Sequence, residues 1–100
     1  MADKIREAMI LAYQDRTRAV LGLLSQLDRH GARDAMTATD DGIYLLSRAL
    51  SDIADTYAHN LNQLMLCGSD LGKAKIQSYD LPSVRAVEQL LELKGVRAYA

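Results

Sequence analysis

The segment DGIYLLSRALSDIADTYAHNLNQLMLC, residues 41–67, decides the fold of this chain. Ile43, Leu46, Leu50, Ile53, Tyr57, Asn60 and Leu64 recur in it at alternating three- and four-residue spacing. An α-helix turns once every ~3.6 residues, so this spacing draws a single stripe along one helix, the seam of helix-on-helix packing. Asn60 is the one polar entry, and Leu45, Leu61 and Met65 broaden the stripe. Neither Pro nor Gly interrupts it, and Gly68 stands just past its end as a natural stop. Ahead of it, Thr37, Thr39 and Asp40 are candidate N-caps. The pattern predicts a helix over about 41–67.

On the N-terminal side, Ile10, Tyr13, Thr17, Val20, Leu24 and Leu27 repeat the same spacing, widened by Met9, Leu21 and Leu23. This predicts a helix over about 2–29. Asp3 and Glu7 near its start and Arg29 near its end complement the helix dipole, and Gly31 stops it. The connector to the next helix is too short for a parallel return, so the two long helices form an antiparallel hairpin. On the C-terminal side, Gly68, Ser69, Asp70 and Gly72 mark a loop. A short third helix over about 82–94 follows, opened by Pro82 and ended by Gly95, with Val84, Val87, Leu90 and Leu91 as its apolar face. The expected fold is all-α and a single domain: an antiparallel hairpin of two long helices plus a short third helix.

Composition narrows the class of protein. Of 100 residues, 49% are apolar and 25% charged, the balance of a folded globular chain rather than a disordered one. Five Tyr, no Phe and no Trp make the core aliphatic. A formal net charge of −1 exerts no strong pull toward nucleic acid or an anionic membrane. A single Cys excludes an internal disulfide framework, no apolar run reaches membrane-spanning length, and no signal-peptide pattern opens the chain. A cytoplasmic location is the expectation.

No residue constellation points to catalysis, a cofactor or a metal. Asp52, Asp55 and His59 share one helix face, but it lies away from the seam, and Arg48 is placed to pair with Asp52. His30, beside Gly31, suits a helix C-terminus, and neither it nor His59 has the context of a phospho-accepting histidine. Cys67 ends a helix, where the dipole opposes thiolate formation. The stretch Gly68 to Ala74 is one residue short of a phosphate-binding loop, and Ala74 replaces the hydroxyl that coordinates magnesium. Gly72-Lys73-Ala74-Lys75-Ile76, with Pro82, Arg85 and Glu88, resembles a short stretch of the all-helical chorismate mutases. That resemblance implies a helical, dimeric fold. It departs where the family grips its substrate: there is no Arg or Lys between Arg48 and Lys73, and Val87 precedes Glu88 where an Arg-Glu pair belongs. The activity is not carried over.

The packing pattern points elsewhere. Residues 8–13, 19–24 and 61–66 are apolar around much of the helix circumference, more than one antiparallel neighbour and a short third helix cover. The expectation is a partner or a second copy, and hence a dimeric helical bundle: a non-enzymatic protein–protein interaction module such as an adaptor, chaperone or inhibitor. The alternatives are a small nucleic-acid-associated regulator and a small metal-dependent helical enzyme. Arg6, Arg16, Arg18 and Arg29 on the first helix are interleaved with Asp3, Glu7, Asp15 and Asp28, a pattern that favours a solvated face over nucleic acid. Tyr44, Lys73, Lys75, Tyr79 and Arg85 are the candidate partner-contact residues, two tyrosines expected at the surface and a basic rim around the second loop.

Overall fold

The computed structural model describes residues 2–29, 31, 39–68 and 70–99, and side chains from residue 3 to residue 91 within those ranges. The capping expectations for His30 and Thr37 lie outside the described residues. Two 28-residue helices, α1 (Ala2–Arg29) and α2 (Asp40–Cys67), pack against each other as a hairpin. A single 3-10 turn at Leu71–Lys73 and an extended stretch lead to α3 (Pro82–Tyr99), which packs on both long helices.

The boundaries follow local chemistry. Thr39 is the N-cap of α2: its backbone is extended, and its Oγ1 accepts a 3.0 Å hydrogen bond from the Gly42 N–H. Asp40 and Asp41 place negative charge in the first turn. Both long helices end at a glycine with positive φ, 58° at Gly31 and 60° at Gly68, a conformation costly for any other residue. Gly95 does not end α3, which runs on to Tyr99. A glycine that keeps helical dihedrals costs about 1 kcal/mol relative to alanine and breaks nothing by itself.

The core centres on Leu23, Leu27, Ala49, Val87 and Leu91, with Leu24, Leu45, Leu46, Val84 and Leu90 packed around it. The seam therefore differs from the one the large side chains draw. Leu27, Ile53, Asn60 and Leu64 are buried as their spacing predicts, but Ile10, Tyr13, Ile43 and Leu50 are about half exposed. The buried line of α1 passes instead through Ala12 and Leu23, and that of α2 through Gly42, Ala49 and Thr56. On α2 the small Gly42, Ala49 and Thr56 take inside positions, where they let the neighbouring helices approach closely. Thr56 is tolerated there because its Oγ1 donates to the Asp52 carbonyl at 2.9 Å. The molecule is elongated, 56 × 20 × 17 Å. Its radius of gyration of 16.5 Å exceeds the roughly 13 Å of a compact 100-residue domain.

Candidate interaction surface

Each long helix carries two apolar stripes, and α3 covers only one pair of them. On the side away from the core cluster, α1 presents Ile10, Tyr13, Thr17 and Leu21, and α2 presents Ile43, Leu50, Ala54, Tyr57, Leu61 and Met65. No charged residue interrupts the α2 stripe between Ile43 and Met65. Leu21 is 56% exposed, Ile10 49%, Ile43 47% and Leu50 42%. Single exposed apolar side chains are ordinary, but a stripe of them on two adjacent helices, met by one charge where Arg16 lies over Tyr13 and Tyr57, is not. The accessible surface of 6941 Å² is about 1,300 Å² above the roughly 5,600 Å² expected for a compact monomer of 11.0 kDa.

A shallow groove runs along the middle of this face between Tyr13, Thr17 and Leu21 on α1 and Leu50, Ile53 and Ala54 on α2. Arg16 closes one end. Its guanidinium lies 4.6 Å from the Tyr13 ring centre and 4.7 Å from that of Tyr57, while the two rings meet edge to face at 6.4 Å. Cation–π attraction on both sides fixes the arginine stem across the hairpin and contributes about 1 kcal/mol or more.

The connector between α2 and α3 is seated by polar side chains of α2. Asn60, the one polar entry of the heptad stripe, is 2% exposed. It accepts from the Gln77 N–H at 2.8 Å and donates to the Gln77 carbonyl at 3.1 Å, a paired amide contact of the kind one strand makes with another. His59 Nε2 lies 2.9 Å from the Lys75 carbonyl, and Gln63 Oε1 accepts from the Lys75 N–H at 3.2 Å. His59 thus holds backbone, where the sequence pattern assigned it to a solvated face. Asp52 pairs with Arg48 at 3.5 Å, and among the described residues no three His, Cys, Asp or Glu side chains gather to hold a metal ion.

The five candidate contact residues do not form one patch. Lys73 and Lys75 are exposed on the connector, with Lys73 paired to Asp70 at 3.7 Å. Arg85 reaches back from α3 to both carboxylate oxygens of Asp80; the pair holds the Asp80 carboxyl below the usual carboxylate range and raises the guanidinium. Tyr44 is exposed near the start of α2, some 24 Å of helix rise away from Asn60. Tyr79 turns inward, against expectation. Its hydroxyl is enclosed close to the Asn60 amide, whose own hydrogen bonds go to Gln77. Burial raises its pKa above the ordinary 10.0, and the Asn60 amide offsets part of that. A cleft of about 380 Å³ opens above it, between Asp15, Arg18, Gly22 and Gln26 of α1 and Val84 and Glu88 of α3.

The open apolar face was visible in the sequence only as excess hydrophobicity. Heptad spacing puts its residues in the seam, because it weights large side chains and overlooks Ala12, Ala49 and Thr56. No family model, no curated protein and no solved structure matches the chain. Among the described residues no helix is long and apolar enough to cross a membrane.

Proposed function

We propose that this protein is a protein–protein interaction module that works by presenting a surface rather than by catalysis: a small adaptor, chaperone or inhibitor. The observation that supports this reading is the exposed apolar stripe on α1 and α2 through Ile10, Leu21, Ile43 and Leu50. Water-exposed apolar surface of this extent gains about 25 cal/mol per Å² on being covered, which favours a bound state. The α1–α2 packing, the Arg16 contacts with Tyr13 and Tyr57, and the Asn60 seat tie together the hairpin that carries it. Rigidity lowers the ordering cost of association.

The test is site-specific photo-crosslinking in the native host at native expression. A photo-reactive amino acid at Leu50 or Leu21 is expected to give discrete protein adducts, and the same probe at Arg18, on the polar flank, none. Absence of adducts from both face positions would overturn the reading.

A further inference from the structure

We infer that the connector between α2 and α3 is a second interaction surface: a strand edge at residues 74–78 that takes up an extended, acidic peptide by main-chain hydrogen bonding. It makes no use of the apolar face of α1 and α2, so the failure of either surface leaves the other standing.

The chain is extended here. Ala74 has φ −68° and ψ 127°, and no helix or turn occurs from 74 to 78. In an extended chain the N–H and C=O of one residue point to one side, and those of the next residue to the other. α2 grips alternate residues. Lys75 donates its N–H to Gln63 and turns its C=O to His59, and Gln77 gives both groups to Asn60. The N–H and C=O of Ile76, between them, therefore point away from α2. Among the described residues they meet no hydrogen-bond partner, nor do the C=O of Ala74 and the main-chain groups of Ser78. These outward groups recur at every second residue, about 6.6–6.8 Å apart, which is the repeat of a strand ladder. All four residues from 75 to 78 are exposed.

One edge of the strand is thus fixed by a helix and the other is open. The complement of such an edge is another extended backbone, since a helix spends its own main-chain groups internally. An antiparallel peptide exchanges two hydrogen bonds with Ile76 and reaches the Ala74 C=O and the Ser78 groups on either side. His59, Asn60 and Gln63 hold the strand in place beforehand, which lowers the ordering cost of binding.

Charge sets the kind of peptide. Asp70 is paired with Lys73 and Asp80 with Arg85, whereas Lys75 is exposed and meets no carboxylate among the described residues. An Asp or Glu opposite Lys75 makes a cross-strand ion pair. Ile76, 54% exposed, lies on the other face of the strand and is covered by an apolar residue beside that acid. A second copy of the connector would instead bring its own Lys73 and Lys75 to the same edge, so the lysines guard it against self-pairing.

The experiment selects linear octapeptides, displayed on phage, against the full chain. Enriched sequences are expected to carry Asp or Glu beside a β-branched or aromatic residue, and a synthesised winner to slow amide hydrogen exchange at Ile76 and Ser78. Ile76→Pro removes an N–H that the fold does not use. It is expected to keep the wild-type circular dichroism and to weaken the winner about tenfold or more. Lys75→Glu is expected to weaken it about fivefold. N-methylation of every second residue of the winner is expected to abolish binding to the unaltered chain in one phase and to spare it in the other, a readout that depends on no variant folding. No enrichment over the bare support overturns the inference, as does a winner that binds Ile76→Pro as tightly as wild type or tolerates both phases of methylation. Slowed exchange around Leu21 and Leu50 in place of Ile76 also overturns it. Winners without acidic residues overturn the acidic assignment, and a wild-type dimer that Ile76→Pro separates overturns the peptide in favour of a second copy.

Discussion

Asn60 shows what one polar residue in an apolar stripe does. Sequence spacing puts it in the seam of α2, where an unpartnered amide would be costly, and both ends of that amide are taken up by the backbone of Gln77. Asn60→Ala leaves the Gln77 N–H and carbonyl without their partners and is expected to cost about 1–3 kcal/mol in urea unfolding, with lost hydrogen-exchange protection at the Gln77 amide. Its position was legible from the heptad count; its partner, well downstream in a stretch without periodicity, was not. Tyr79 is the reverse case. Tyrosine in a loop reads as a surface contact, and the packing of the helices encloses its hydroxyl among Asp15, Arg16, Tyr57 and Asn60. With its hydroxyl pKa raised by burial, ionisation is easier in the unfolded chain than in the fold. Its contribution to stability is therefore full below about pH 10 and falls as pH climbs through the raised folded value. Tyr79→Phe is expected to flatten that alkaline loss of stability, read as the difference between the two proteins' thermal midpoints from pH 8 to pH 11.

At the scale of elements, the three helices and the hairpin between the first two were written in spacing, caps and glycines. Gly68 illustrates why glycine stops are readable: at φ 60° and ψ −122° a Cβ meets nothing within 4 Å, so the penalty for a substitution is backbone strain alone. Gly68→Ala is expected to destabilise by about 1–2 kcal/mol in chemical denaturation without changing helix content. Gly95 marks the limit of the same rule, since α3 runs through it. The face each helix turns inward was less legible. Periodicity locates a stripe to within a side chain's width, and on α1 two stripes overlap: the large one through Ile10, Tyr13 and Leu21, and the smaller one through Ala12, Leu23 and Leu27. Which one is buried depends on where the neighbouring helices pack, a tertiary property that spacing alone does not carry.

For the whole molecule, an elongated hairpin with an uncovered apolar side has a measurable consequence. Leu50 lies on that side and not in the core, so Leu50→Glu is expected to keep the fold, with a circular dichroism melting midpoint within a few degrees of the wild type's. The seat of the connector carries a different consequence. His59, Asn60 and Gln63 grasp the main-chain groups of Lys75 and Gln77, while the side chains of Lys75, Ile76, Gln77 and Ser78 project outward. A grip on the main chain is blind to what those residues are. The stretch from 75 to 77 is thus a display position whose letters are free to drift, or to be rewritten with a foreign epitope, while the scaffold beneath it, with Ser78 accepting from the Asp80 N–H, stays as it is.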